Sequence, residues 1–95
     1  MSRLVAIVDD EPDLVELVTV NLKKANFGVK GFTDANAFLR YIERSLPHLV
    51  VLDLMLPDRD GVEICEYMKE DGRLSSVPII ILSAKSEETD TPLTG

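Results

Sequence analysis

With 95 residues, 45% of them hydrophobic, and a net charge of −7, the chain reads as one small acidic globular domain rather than a disordered segment. The charge argues against nonspecific DNA binding, because phosphate contacts need a surplus of lysine and arginine. The single cysteine, Cys65, excludes an intrachain disulfide, no apolar stretch approaches the length of a membrane span, and no signal peptide precedes the first strand-like run. A reducing cytoplasm is the expected location.

In chain order, a first strand is expected over Leu4–Val8, a short apolar run rich in β-branched residues and ending in Asp9-Asp10. A helix follows from Pro12 to about Ala25, with Leu14, Leu17, Val18, Leu22 and Ala25 at helical spacing. Asp10 stands as its cap, and Pro12 sits where a first turn tolerates proline. Gly28 suits the turn into a second strand, Val29–Phe32. The second helix spans about Asp34 to Ser45, with Phe38, Leu39 and Ile42 on one face, and Pro47 prevents its continuation. A third strand, Leu49–Leu52, runs into Asp53. The third helix opens at Asp60, with Glu63 three residues on as in a capping box, and buries Ile64, Cys65 and Met68. A fourth strand over Val77–Leu82 runs into Ser83, and Ser83–Glu88 could begin a fourth helix. Strands alternating with helices of this length predict βαβ units, right-handed crossovers and a parallel sheet.

In such a sheet, ligands sit at the carboxyl ends of the strands. If the first, third and fourth strands are neighbours, the carboxylates of Asp9, Asp10 and Asp53 converge with the Ser83 hydroxyl. Two unit charges about 4 Å apart repel by roughly 4 kcal/mol at an effective dielectric near 20. A cation is therefore expected among them, and oxygen-only ligands favour a hard ion, Mg²⁺ or Mn²⁺.

Plainer readings compete with this one. Asp9-Asp10 alone could simply start a helix, and Ser83 alone could be a turn residue. Asp58-Arg59-Asp60-Gly61 resembles a calcium loop, but that motif needs glycine sixth and an acid twelfth, where Lys69 stands, so turn and cap is the better reading. His48 reads as a surface or turn histidine, Cys65 as core, Phe38 and Tyr41 as packing, and Lys23-Lys24 as a complement to the helix dipole. A nucleotide- or flavin-binding protein ranks lower, because Asp9-Asp10-Glu11-Pro12 replaces the glycine-rich turn and would repel phosphates. An Asp-x-Asp phosphatase would need an acid where Met55 stands.

Three segments together resemble the receiver domain of two-component response regulators: Val8-Asp9-Asp10-Glu11-Pro12, Val51-Leu52-Asp53-Leu54-Met55-Leu56-Pro57-Asp58-Arg59-Asp60-Gly61, and Ile81-Leu82-Ser83-Ala84-Lys85. In wording they look most like receivers attached to winged-helix DNA-binding domains. The resemblance implies a three-layer α/β fold, a doubly wound, flavodoxin-like parallel sheet of order 2-1-3-4 here. It implies a phosphoryl transfer from a histidine kinase to Asp53. Asp10 and Asp53 would bind the metal through carboxylates, Asp9 often through water, and Met55 through its backbone carbonyl. Ser83 would hydrogen-bond a phosphoryl oxygen. Such a domain catalyses at most its own phosphorylation and dephosphorylation.

The same resemblance leads one to expect a lysine on a fifth strand, and nothing after Lys85 supplies it. Residues 1–88 are accordingly read as a receiver cut before its fifth βα unit, with a polar tail over 89–95. Metal binding is expected to survive this better than phosphorylation. An alternative follows: a non-catalytic interaction module that self-associates through the fourth-strand edge and the face of the first helix.

Overall fold

A computed structural model describes residues 3–82. Ser83, the expected fourth helix and the polar tail lie outside the described residues. The elements are β1 (Leu4–Val8), α1 (Pro12–Lys24), β2 (Gly28–Phe32), α2 (Ala35–Ile42), β3 (Leu49–Asp53), α3 (Gly61–Glu70) and β4 (Ile79–Leu82). The strands form one parallel sheet in the order β2-β1-β3-β4, as expected from the alternation of strands and helices.

The central strands are the most apolar because helices cover both of their faces. Successive side chains alternate between those faces. Ala6, Val8, Val50 and Leu52 pack with Phe38 and Ile42 of α2 and Ile64 and Met68 of α3. Val5, Ile7 and Val51 pack with Val15, Val18 and Leu22 of α1 on the other side. The result is three layers. Each fully buried large side chain, such as Phe38, Ile42 or Met68, contributes roughly 1.5–3 kcal/mol of transfer free energy. β2 lies at one edge and exposes Lys30, a charge that discourages pairing with another chain.

The helix ends differ in detail from the sequence reading. The N-cap of α1 is Glu11, not Asp10, and its side chain makes no capping bond. Pro12 occupies the first helical turn, so Asp10 falls one residue too early to serve as cap. At the other end, Asn26 rather than Gly28 makes the turn, with φ 72°. The Asn26 amide donates to Lys23 O and the Phe27 amide to Leu22 O, each at 3.0 Å, closing the helix in a Schellman arrangement. Asparagine tolerates this left-handed conformation, which leaves Gly28 to open β2.

α2 stops at Ile42, short of Ser45. Arg73 reaches across from the segment after α3 and donates to the carbonyls of Ile42 and of Ser45, the latter at 3.3 Å, so the chain's last carbonyls there are satisfied without further helix. At α3, Asp60 accepts from the Val62 amide at 3.0 Å, while the Asp60 backbone pairs with Met55 in an isolated antiparallel bridge. The cap is therefore a simple one rather than the reciprocal box. β4 begins at Ile79: Val77 donates to Leu74 O in a turn, and Pro78, lacking an amide hydrogen, joins the sheet only by accepting from Val50.

Candidate metal and phosphoacceptor site

β1 and β3 are adjacent and in register, with Val8 opposite Leu52. The residues that follow, Asp9 and Asp53, therefore emerge side by side at the carboxyl end of the sheet. Asp9 extends β1 by donating its amide to Phe32 O at 3.0 Å. It is only 3% exposed and Asp53 only 2%, and no other charged residue among those described is buried. Asp10, half-buried, completes the cluster: one carboxylate oxygen from each of the three lies within 4.8 Å of the other two.

The same local device orients both buried acids. Asp9 Oδ1 accepts from the Glu11 amide at 2.9 Å, and Asp53 Oδ1 accepts from the Met55 amide at 2.9 Å. An Asx turn of this kind fixes the carboxylate with its own backbone two residues on. The donor set is all oxygen and anionic, and an octahedral ion with oxygens at about 2.1 Å spans opposite ligands about 4 Å apart. The three acids thus fit a hard divalent cation after only small side-chain adjustments.

Met55 follows two residues after Asp53, its side chain 61% exposed and its amide fixed by Asp53. Ser83 lies outside the described residues. Its predecessor, Leu82, stands opposite Asp53 in the β3–β4 register.

The loop from Leu54 to Asp60 is anchored by features the sequence reading did not assign. Gly61 presses against it: a Cβ there would lie 2.5 Å from Leu54 Cα and 3.0 Å from Asp53 O. Leu56 is buried in the α2–α3 side of the core. Asp58 reaches the start of α2, where its two oxygens accept from the Ala35 and Asn36 amides, each at 3.1 Å. The bond from the Ala35 amide is the leading reason the Asp58 carboxyl is held below its ordinary pKa; partial burial opposes it, and the Asn36 amide adds to it. In sequence, Asp58 reads as a turn residue, because its partners lie 23 and 22 positions away.

The plainer sequence readings fare well. Phe38 is core, and the ring of Tyr41 packs on Phe32 at 5.2 Å. His48 is exposed and extends the β1–β3 pairing: its amide donates to Leu4 O at 2.8 Å and its Nδ1 accepts from the Leu4 amide at 2.9 Å. Cys65 is half-buried against the core, and burial pushes its thiol pKa up, the opposite of what a reactive thiolate needs.

A doubly wound parallel sheet with an acidic pocket at the carboxyl ends of its central strands defines the receiver class of signalling domain. The sequence profile of the response regulator receiver domain matches residues 5–92, and the chain belongs to that family. It is 37% identical over 93 residues to the alkaline phosphatase synthesis transcriptional regulatory protein PhoP of Bacillus subtilis, an alignment covering 98% of this chain and 38% of that one. It is 36% identical over 93 residues to the DNA-binding response regulator MtrA of Mycolicibacterium smegmatis, covering 98% and 40%. The chain thus spans about two-fifths of the length of these curated relatives. Its fold matches the chemotaxis response regulator CheY4 of Vibrio cholerae with a TM-score of 0.83 at 21% identity, over 93% of this chain and 74% of that one. No helix among the described residues is long and apolar enough to cross a membrane.

Proposed function

We propose that Asp53 is the phosphoacceptor of a cytoplasmic two-component response regulator and takes a phosphoryl group from a phosphohistidine of a histidine kinase. A carboxylate oxygen of Asp53 attacks phosphorus, the bond from phosphorus to the kinase imidazole nitrogen breaks, and an aspartyl phosphate forms. Asp9, Asp10 and Asp53, with the Met55 carbonyl, would hold Mg²⁺ or Mn²⁺. When bound, the ion neutralises charge shared between acceptor and phosphoryl oxygens. Asp53, fixed by the Met55 amide, keeps one orientation for attack, and Ser83 would donate to a phosphoryl oxygen. The relatives named as transcriptional and DNA-binding regulators support a transcriptional output. With its net charge of −7, this segment would not itself contact DNA.

The observation that carries this reading is the grouping of three carboxylates, two of them buried, within 4.8 Å where the central strands end. Incubation with acetyl phosphate and Mg²⁺ tests it by intact mass. An adduct of about 80 Da, absent in Asp53→Asn, is the expected result for a covalent phosphoacceptor. Metal binding without any adduct would favour the second reading, a self-associating interaction module. That reading draws support from β4, where Ile80 and Ile81 are 51% and 39% exposed.

A further inference from the structure

The loop that follows Asp53 is tied to the start of α2 chiefly by the Asp58 side chain. Within the loop, the Gly61 amide donates to Leu54 O at 3.2 Å and Met55 pairs with Asp60, so both ends are closed on themselves. Leu56 gives the loop an apolar anchor in the core. Asp58 gives it a polar one, with both oxygens engaged by the first two amides of α2. Arg59 Nε adds a longer bond of 3.4 Å to Asn36 Oδ1 at the same helix start. The third α2 amide, Ala37, is taken by Asp34 at 3.1 Å. Two carboxylates therefore cap one helix, and they differ in where they come from. Asp34 belongs to the chain entering α2; Asp58 belongs to the loop that carries Met55.

We infer that Asp58 is a positioning residue for the Asp53 site: by clamping the loop 54–60 onto α2 it holds the Met55 backbone where a metal ion needs it. This rests on the phosphoacceptor reading above. A bidentate carboxylate on two adjacent amides fixes direction as well as distance, and helix N-termini favour the negative charge. Without the Asp58 carboxylate, the loop keeps only the Leu56 anchor and the longer, exposed Arg59–Asn36 bond as ties to other elements among the described contacts, and its middle can pivot about them. Residues that orient metal ligands from outside the coordination shell typically govern affinity without touching the ion.

The test compares the 95-residue chain with Asp58→Ala, Asp58→Asn and Asp34→Ala. Mn²⁺ affinity is read by electron paramagnetic resonance of free Mn²⁺, and amide exchange of residues 54–60 is read without metal. Asp58→Ala is expected to weaken Mn²⁺ binding roughly tenfold, the low end for an outer-shell residue, and to speed exchange in the loop. Asp34→Ala removes a cap from the same helix without touching the loop, so it should leave both readouts unchanged. Asp58→Asn keeps one good acceptor and should fall between. Should Asp58→Ala not fold, Asp58→Asn decides: weakened binding supports the inference, and unaltered binding overturns it. Equal weakening by Asp34→Ala would also overturn it, since fraying of α2 would then suffice, while leaving the phosphoacceptor reading intact. Mn²⁺ binding by the unaltered chain that Asp53→Asn fails to weaken would overturn both.

Discussion

At Gly61 the need for glycine is steric rather than conformational. An added Cβ would meet backbone, Leu54 Cα at 2.5 Å and Asp53 O at 3.0 Å, and the chain at and just after Asp53 would have to move to admit it. Overpacking of this kind costs about 1–3 kcal/mol. Gly61→Ala is expected to destabilise the fold by about 2 kcal/mol in urea titration, within that overpacking range, and to lower the rate of adduct formation because the shifted backbone carries Asp53. The acids themselves were legible from sequence, since each ends or follows an unbroken apolar run. Gly61 was seen only as part of a motif, because nothing in a linear sequence shows which backbone will lie against a missing side chain.

The start of α2 is where elements meet, and its stability should respond to acid. Asp58 is held below its ordinary value of 3.8, first by the Ala35 amide. A depressed carboxyl pKa means the folded state binds its proton less readily than the unfolded state does. Its stabilising contribution is therefore complete above the unfolded value and is lost as pH falls through the lower folded value. In denaturation midpoints measured between about pH 2 and 5, Asp58→Asn is expected to flatten the acid loss relative to the unaltered chain. It should have its largest destabilising effect at the upper end of that range. The helix boundaries show the same logic at work elsewhere. α2 ends with its last apolar residue, Ile42, three residues short of the expected boundary at Ser45, and Arg73 satisfies carbonyls that another turn would have used. α1 turns at Asn26, because the Schellman bonds and the packing of Leu22 and Phe27 against the same core cluster select that residue for the left-handed position.

For the molecule as a whole, the two outer strands of the sheet among the described residues are unlike. β2 carries Lys30 outward, whereas β4 exposes Ile80 and Ile81, which alternate onto opposite faces of the sheet. An apolar strand at an edge templates pairing with another chain, so concentration-dependent association is expected in analytical ultracentrifugation at micromolar concentration. Lysine substitution at Ile80 and Ile81 should shift the population toward monomer. A monomer at every concentration would count against the interaction-module reading and leave the phosphoacceptor chemistry untouched.

The order of strands and helices, the layering and the identity of the acidic cluster were already written in the chain. Apolar runs of strand length and helical spacing between them admit few arrangements, and carboxylates placed after such runs are carried to one rim. Contacts across long sequence distances could be decided only by the tertiary structure. Asp58 on α2 and Arg73 on the end of the same helix depend on which elements come to lie side by side, and Gly61 against Leu54 depends on how the loop between them closes. Local pattern sets what an element is, but the partner that satisfies its exposed amides and carbonyls is known only once packing has brought the two together.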